Sequence, residues 1–266
     1  MHPAFVNSLP KAGTNMVAKC LTLFGYRQIG HVGRERIFGR GIHAVVNRLM
    51  HSRRTGGYDI GLRTQSRVSA SLVERNFVTT DRNVFLTAHV AFSPEFLACV
   101  QRFAFQPILI TRDPRAVLAS HVPYVMARKA HFLNKQFAGL SEHERYMVSL
   151  RGGGNGRSSF KSLPESCQLI EGWRTSEAVL HVRFEDLVGA KGGGSDAAQL
   201  ENVGRIARWL GLDETKVPEV AANLFGAGRS TFRKGQVDSW RSELPADILA
   251  AADRELADIL HQWGYR

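Results

Sequence analysis

Residues 4–16 read Ala4-Phe5-Val6-Asn7-Ser8-Leu9-Pro10-Lys11-Ala12-Gly13-Thr14-Asn15-Met16, and the fold can be worked out from this stretch. Its apolar beginning predicts a buried strand, and Pro10 and Gly13 then interrupt regular structure. Apolar residues recur at helical spacing over residues 16–24, and Gly25 is placed to end the helix. The stretch therefore predicts a strand, a tight turn and a helix, with Lys11 inside the turn.

The turn around Lys11 has the composition of an anion site. The first N–H groups of a helix have no partner within it, and the positive end of the helix dipole lies behind them, so phosphate is a common ligand there. The turn is not a Walker A loop. That loop needs its lysine after the last glycine, whereas Lys11 lies two residues before Gly13. An ordinary turn with an exposed lysine remains an open alternative.

Composition limits the class of protein. With 266 residues, of which 44% are hydrophobic and 22% charged, the chain is expected to form one α/β domain over residues 1–266. It contains no long apolar run and does not open like a signal peptide, so we expect no membrane span and a cytoplasmic location. Its 3 cysteines lie far apart, which fits neither a disulfide framework nor a zinc site.

The charge balance favours an anionic partner. Lys and Arg number 35 against 24 Asp and Glu, a net charge of +11. Nucleic acid, anionic lipid or a multiply phosphorylated small molecule would each suit this charge. The arginines between Arg34 and Arg67 lie in a poorly patterned region, the kind of irregular segment that often builds the wall of a substrate site.

A second predicted strand, over residues 83–89, ends at His89. Ser93-Pro94-Glu95 then predicts the start of a helix that runs to about Phe103, because serine caps, proline suits the first helical position and an acid suits the first turn. His89 is therefore expected at the carboxyl end of a strand, where open α/β sheets place their ligands. A purely structural role for this histidine stays equally open.

A third strand, over residues 107–111, is continuously apolar, as in a parallel sheet buried on both faces. Asp113 and Pro114 predict the start of the next helix directly after it, so Arg112 emerges beside a second helix N-terminus. Ser120 lies about two turns further along and is able to add a hydroxyl to the same site. The alternative is that Arg112 pairs with a neighbouring carboxylate.

Further predicted elements complete an alternation of strands and helices, which favours a parallel, doubly wound sheet. They are helices over 42–50 and 69–76, a glycine-rich lid or disordered loop over 151–157, a strand over 178–184, a helix that ends at Gly211 and a last helix that begins at Pro245. Before that last helix, Phe232-Arg233-Lys234-Gly235 places two cations and a glycine in a non-helical segment. Such a segment allows the backbone to approach a phosphate while both charges bind it.

Together these pieces resemble the sulfotransferases that use 3′-phosphoadenosine 5′-phosphosulfate (PAPS), and the likeness spans residues 5–240 in the family's order. The resemblance is carried by five motifs: Pro10-Lys11-Ala12-Gly13-Thr14-Asn15 (5′-phosphosulfate loop), Thr87-Ala88-His89 (general base), Arg112-Asp113-Pro114-Arg115 with Ser120 (3′-phosphate), Phe184-Glu185-Asp186-Leu187 (near the adenine) and Phe232-Arg233-Lys234-Gly235 with Trp240 (3′-phosphate). The pattern looks most like bacterial members. It implies a P-loop-containing three-layer α/β/α fold with a central parallel sheet.

The resemblance also implies the chemistry. His89 would be the general base, and Lys11 would stabilise the leaving phosphate during an in-line displacement. The implied cofactor-binding residues are Lys11, Ala12, Gly13, Thr14, Asn15, Met16, Arg112, Ser120, Phe184, Phe232, Arg233, Lys234 and Gly235, with backbone amides from Gly13 to Met16 holding the 5′-phosphate. The product would be adenosine 3′,5′-bisphosphate (PAP), no metal would be needed, and the acceptor would be a small-molecule, glycan or lipid hydroxyl.

Four positions depart from the family pattern. Thr87 replaces the lysine two residues before the histidine, and Phe184 replaces a tyrosine. Asp238 stands where the last motif usually has glycine, and Ser239 where it has aspartate. These last two changes put the local geometry after Gly235 in question.

Two other functions remain possible from the sequence. A P-loop kinase or NTPase is opposed by the missing G-K-[ST]. A basic nucleic-acid-binding protein could use the arginines between Arg34 and Arg67, but the sequence contains no known binding module, so no nucleic-acid partner is expected.

Overall fold

The structure is a computed structural model, and it describes residues 1–33, 56–153, 160–226 and 235–266. A five-stranded sheet forms its centre, and all its strands are parallel. The strands of this sheet and of a separate hairpin are β1 (Ala4–Ser8), β2 (Arg27–Val32), β3 (Gly57–Ile60), β4 (Ser66–Ser69), β5 (Val84–Ala88), β6 (Gln106–Thr111) and β7 (Leu180–Arg183). The sheet order is β2-β5-β1-β6-β7, and β3 pairs antiparallel with β4.

Helices connect the strands and cover both faces of the sheet. They are α1 (Thr14–Leu23), α2 (Ala70–Glu74), α3 (Pro94–Arg102), α4 (Pro114–Met126), α5 (Asn134–Ala138), α6 (Glu142–Arg151), α7 (Leu163–Leu169), α8 (Glu171–Thr175), α9 (Phe184–Leu187), α10 (Asp196–Leu210), α11 (Val217–Leu224), α12 (Trp240–Glu243), α13 (Ala246–Glu255) and α14 (Ala257–Gln262). None of the helices in the described part of the chain is long and apolar enough to cross a membrane.

The side chains of β1 alternate between two hydrophobic cores, as the period of two in a strand requires. Phe5 is fully buried in the core that includes residues of α3, α4, α6, α7 and α13. Ala4 and Val6 point into the opposite core, which includes residues of α1, α10 and α11. The predicted three-layer α/β/α architecture with a central parallel sheet is therefore confirmed.

The predicted helix starts are confirmed by their caps. Ser93 accepts a hydrogen bond from the Phe96 amide at 3.1 Å and caps α3. Asp113 accepts one from the Arg115 amide at 2.8 Å and caps α4. Gly211 ends α10 in the left-handed conformation, with φ of 64°, which costs glycine little.

Some elements were not predicted. β2 lies at the edge of the sheet and its residues are mostly exposed or half-buried, so it lacks the apolar run that marks the inner strands. The β3–β4 hairpin was also missed. The last helix is two helices, α13 and α14, which meet at Leu256.

Other predicted elements lie wholly or partly outside the described residues. These are the helix over 42–50 and part of the glycine-rich segment over 151–157. The helix predicted over 69–76 is present as the shorter α2. A 3₁₀ turn over Ala190–Gly192 precedes α10 and ends at the first residue of the run Gly192-Gly193-Gly194.

Candidate active site

The parallel strands all end at one edge of the sheet, and a cavity of about 460 Å³ lies there. Ligand sites of open α/β sheets are expected at this edge. Most sequence-predicted site residues line the cavity: Lys11, Gly13, Thr14, Asn15, Met16, His89, Arg112, Ser120, Phe184 and Gly235. Phe232, Arg233 and Lys234 lie outside the described residues.

Close packing fixes the loop between β1 and α1. Gly13 has φ of 107°, and a Cβ placed there would lie 2.9 Å from both Ile110 Cδ1 and Phe184 Cδ2. Only glycine fits this combination of left-handed backbone and close approach. The hydroxyls of Ser8 and Thr14 lie 2.5 Å apart and tie the end of β1 to the start of α1.

Two N–H groups of the loop form hydrogen bonds within the turn. The Ala12 amide donates to the Leu9 carbonyl at 3.1 Å, and its methyl group is fully buried. The Met16 amide donates to the Gly13 carbonyl at 2.7 Å. Hydrogen bonds within the turn thus occupy both N–H groups, and the assignment of Ala12 and Met16 to the cofactor site stays a prediction. Gly13, Thr14 and Asn15 lie at the N-terminal end of α1, where the helix itself supplies no backbone acceptors.

One face of α4 forms the wall opposite this loop. Ala116, Ser120 and Tyr124 follow each other at intervals of four residues, and all three line the cavity. The Lys11 ammonium lies over the Tyr124 ring, 4.2 Å from its centroid. Tyr124 was missed from the sequence, although its position one helical turn after Ser120 was a usable signal.

Arg112 is a partly buried cation that lines the cavity. Its guanidinium stacks on Phe184 at 4.3 Å, and one nitrogen donates to the Gln236 carbonyl at 3.0 Å. Nε is buried and has no hydrogen-bond partner among the described residues. Burial lowers the pKa of Arg112, and the charges of Glu185 and Asp113 oppose this shift. The guanidinium still stays charged in proteins, so this end of the cavity has the character of an anion site.

Arg115, the second arginine of the same motif, differs sharply from Arg112. It donates to both carboxylate oxygens of Asp113 and to Asp253, and it stacks over the Trp240 ring at 4.0 Å. No carboxylate of the described residues lies within ion-pair distance of Arg112. The alternative that Arg112 merely pairs with a carboxylate therefore applies to Arg115 and not to Arg112.

His89 follows β5 and is held by β1. Its Nδ1 lies 2.8 Å from the Ser8 carbonyl, which only accepts, so the neutral ring carries its proton on Nδ1. Burial lowers the pKa of His89, the Ser8 carbonyl partly offsets this, and the charge of Lys11 adds to it. The Asn7 side chain exchanges hydrogen bonds of 2.9 and 3.0 Å with the Val90 backbone and so fixes the chain just after His89. Nε2 is therefore left in the basic form at neutral pH.

Other residues that line the cavity were not predicted as site residues. His31 on β2, Lys19 on α1 and His131 line the cavity, and Thr87 contributes to the same wall. The His31 and His89 rings lie 5.3 Å apart. Lys19 lies on the face of α1 that carries Asn15 one turn earlier, a spacing that was available to sequence reasoning.

The backbone at Asp238 shows the local geometry after Gly235, which the departures from the family pattern had put in question. It adopts φ of 60°, the left-handed region in which glycine is normally preferred. The backbone bend that glycine would allow is thus present with aspartate in its place. Gly235 and Ser239 on either side both line the cavity.

In the four described ranges, no group of three or more His, Cys, Asp or Glu side chains could hold a metal ion. The three cysteines are buried and unbonded to one another.

Comparison with solved structures identifies proteins built in the same way. A mouse sulfotransferase complexed with PAP matches over 97% of this chain and 84% of its own, with a TM-score of 0.60 and 14% identity. The chain has the sulfotransferase fold. Retinol dehydratase in complex with androsterone and inactive cofactor PAP matches over 97% of this chain and 80% of its own, with a TM-score of 0.60 and 18% identity. The complex of retinol dehydratase with retinol and PAP matches over 97% of this chain and 81% of its own, with a TM-score of 0.59 and 18% identity.

At these identities the likeness establishes the fold. Neither a scan against protein-family models nor a search of curated proteins found a match. The resemblance read from the sequence is thus confirmed at the level of the fold, and the likeness to bacterial members stays a prediction.

Proposed function

We propose that this chain is a sulfotransferase that transfers the sulfuryl group of PAPS to a hydroxyl acceptor. The observation that carries the proposal is that one cavity holds both the Arg112 guanidinium, whose buried Nε has no hydrogen-bond partner among the described residues, and the imidazole of His89, whose pKa is lowered by burial. PAPS has a 3′-phosphate that Arg112 would bind, and the transfer of its sulfuryl group needs a base, which His89 would provide. Sulfotransferases of the same fold were solved with PAP, which supports this choice of nucleotide.

The residues present suit the nucleotide. Arg112 Nε is a buried donor that lacks a partner among the described residues and would bind the 3′-phosphate, together with the Ser120 hydroxyl. Gly13, Thr14 and Asn15 line the cavity at the N-terminal end of α1, so this part of the backbone is placed to approach the 5′-phosphate. Phe184, already stacked on Arg112, offers an aromatic surface near the adenine. When bound, PAPS supplies an activated sulfuryl group next to a phosphate leaving group.

The chain's own residues would then handle charge and protons. His89 Nε2 takes the proton of the acceptor hydroxyl, while the Ser8 carbonyl holds the imidazolium through Nδ1. Lys11 places its ammonium where negative charge grows on the leaving phosphate. The Tyr124 ring packs under the Lys11 ammonium and so limits the positions that this side chain can adopt.

The acceptor is proposed to be a small molecule or a glycan or lipid hydroxyl. Retinol dehydratase, which shares the fold, binds androsterone and retinol. A single sulfotransferase domain over residues 1–266 and a cytoplasmic location remain predictions from the sequence. The basic segment on which a nucleic-acid function would depend lies largely outside the described residues.

The test is transfer of radiolabelled sulfate from PAPS to pooled hydroxyl acceptors (sugars, glycolipids, steroids and phenols). We expect labelled product with the wild type and none with heat-inactivated protein. A parallel reaction with γ-labelled ATP and Mg²⁺ covers the kinase alternative. Phosphorylated product without sulfated product would contradict the proposal.

A further inference from the structure

The turn over residues 189–194, which we name the glycine turn, is bound to the segment that follows the last cationic motif. The Val237 amide donates to the Gly192 carbonyl at 2.8 Å. The Gln236 side-chain amide donates to the Lys191 carbonyl at 3.1 Å. These two hydrogen bonds attach the last motif to the connection between α9 and α10.

The glycine turn is closely packed and has no space for a side chain at its centre. The Gly192 and Gly194 amides both donate to the Gly189 carbonyl, at 3.0 and 2.9 Å. A Cβ at residue 192 would lie 2.1 Å from Val188 Cγ2 and 3.1 Å from the Gly235 carbonyl oxygen. Glycine at this position therefore allows the turn and the last motif to approach each other this closely.

The chain from α9 to the glycine turn holds Arg112 in two ways. Phe184, the first residue of α9, stacks on the guanidinium at 4.3 Å. The Gln236 carbonyl, which the glycine turn keeps in place, accepts a hydrogen bond of 3.0 Å from one guanidinium nitrogen. The guanidinium is planar and its N–H groups form a rigid fork. Because one face and one edge of this group are held, its remaining donors keep a fixed direction.

The direction of these donors matters because Arg112 lines two cavities. Beside the cavity of about 460 Å³ lies a second one of about 340 Å³, and Arg112 shares it with Glu185. Burial raises the pKa of the Glu185 carboxyl, and the charge of Arg112 opposes this shift, so the two side chains attract each other. A guanidinium released from Gln236 would therefore turn toward Glu185 and away from the first cavity.

We propose that Gly192 and Gln236 are positioning residues that hold Arg112 toward the 3′-phosphate and thereby determine the selectivity of the site for 3′-phosphorylated nucleotides. The proposal rests on the proposed sulfotransferase function. Neither residue has to touch the nucleotide with its side chain. The glycine turn holds Gln236, and the Gln236 carbonyl holds the Arg112 guanidinium.

The expected effect is a loss of selectivity, measured by calorimetric titration with PAP and with adenosine 5′-phosphate. Gly192→Ala displaces the turn and should lower the ratio of the two affinities about 3- to 10-fold, as expected for weakening one hydrogen bond to a charged group. Gln236→Ala removes only the bond to the Lys191 carbonyl and should lower the ratio about 2- to 3-fold. Affinity for adenosine 5′-phosphate should stay nearly unchanged in both variants. Gly139→Ala is the matched control, because a Cβ there would lie 3.8 Å from its nearest neighbour.

The guanidinium can also be observed directly, without any ligand. ¹H–¹⁵N correlation spectra of protein labelled with ¹⁵N-arginine record the Nε–H groups, and Arg112→Lys assigns the signal of Arg112. The Arg112 Nε is buried, so its proton is shielded from exchange with water. The Arg112 signal should shift or broaden in Gly192→Ala and Gln236→Ala, and it should keep its wild-type position in Gly139→Ala.

The outcomes separate this proposal from the proposed function. A wild-type ratio of affinities in both variants, or equal losses for the two nucleotides, would overturn the positioning role and leave the sulfotransferase function intact. If Gly192→Ala does not fold, the affinities and the Arg112 signal of Gln236→Ala decide the matter. A wild type that neither binds PAP nor transfers sulfate would overturn both proposals.

Discussion

The two ends of the cavity are built differently. The end that we propose holds the nucleotide consists of residues in the turns and helices that follow strands β1, β6 and β7, such as Gly13, Arg112 and Phe184. The acceptor end depends on the pairing of two strands, β2 and β5, which brings His31 against Thr87 and beside His89. The first end is a set of local strand-to-helix turns, and the second exists only once the sheet has formed.

Their electrostatics differ as well. The nucleotide end holds a buried guanidinium and helix amides, while the acceptor end holds imidazoles, and burial keeps the pKa of His89 below its usual value. Binding of an anionic nucleotide and removal of a proton are therefore expected to be separable by mutation. The following predictions test that separation.

The largest effect is expected at the acceptor end. His89→Ala should lower turnover by about 10²–10⁴-fold, the usual contribution of a general base, because His89 Nε2 is the basic nitrogen beside the Lys11 loop. PAP affinity should barely change, since no nucleotide phosphate is assigned to His89. Calorimetric titration with PAP and the transfer assay on the same folded variant measure both quantities. Near-normal turnover would remove His89 from the mechanism.

The matching change at the nucleotide end is Arg112→Ala. It should weaken PAP binding by about 1.5–3 kcal/mol, the range for a hydrogen bond to a charged group, and leave the affinity for adenosine 5′-phosphate nearly unchanged. Arg27→Ala is a charge-matched control, because Arg27 forms an exposed ion pair with Asp81. Equal losses for the two nucleotides would mean that Arg112 does not bind the 3′-phosphate.

A smaller effect is expected from pH. Burial and the charge of Lys11 lower the pKa of His89, and a protonated His89 cannot accept the acceptor's proton. Activity should therefore be lost as pH falls through the folded-state pKa, with the midpoint of kcat/KM below about 6.5, the unperturbed histidine value. Between pH 7 and 8 the profile should be flat. A midpoint above the unperturbed value would contradict the basic form assigned to His89.

The smallest effect is expected outside both ends, at Asp238. Asp238→Gly relieves a left-handed non-glycine residue, but glycine also gains entropy in the unfolded chain, so the free energy of unfolding should rise by no more than about 1 kcal/mol. The Asp238–Arg241 ion pair of 3.5 Å is exposed and contributes little. Chemical denaturation measures the change. A loss of several kcal/mol would show that the Asp238 side chain has a role of its own.

The same contrast explains what the sequence could predict. Gly13, Arg112 and His89 were predicted because a turn or a cap next to each strand marks them within a few residues. His31 could not be predicted, because β2 is an edge strand without an apolar run, and its partner Thr87 is 56 residues away. The hydrogen bonds that the Ala12 and Met16 amides form within the turn could not be predicted either, because a motif does not show which backbone groups bond to each other.

The most direct test of the account is calorimetric titration of the wild type, without Mg²⁺, with PAP and with adenosine 5′-phosphate. These two ligands differ only in the 3′-phosphate, for which the buried Nε of Arg112 is the proposed donor. We predict that PAP binds at least about tenfold more tightly, as one hydrogen bond to a charged group requires. Equal affinities, or tight binding of ATP only when Mg²⁺ is added, would contradict the claim that this cavity is built for a 3′-phosphorylated nucleotide.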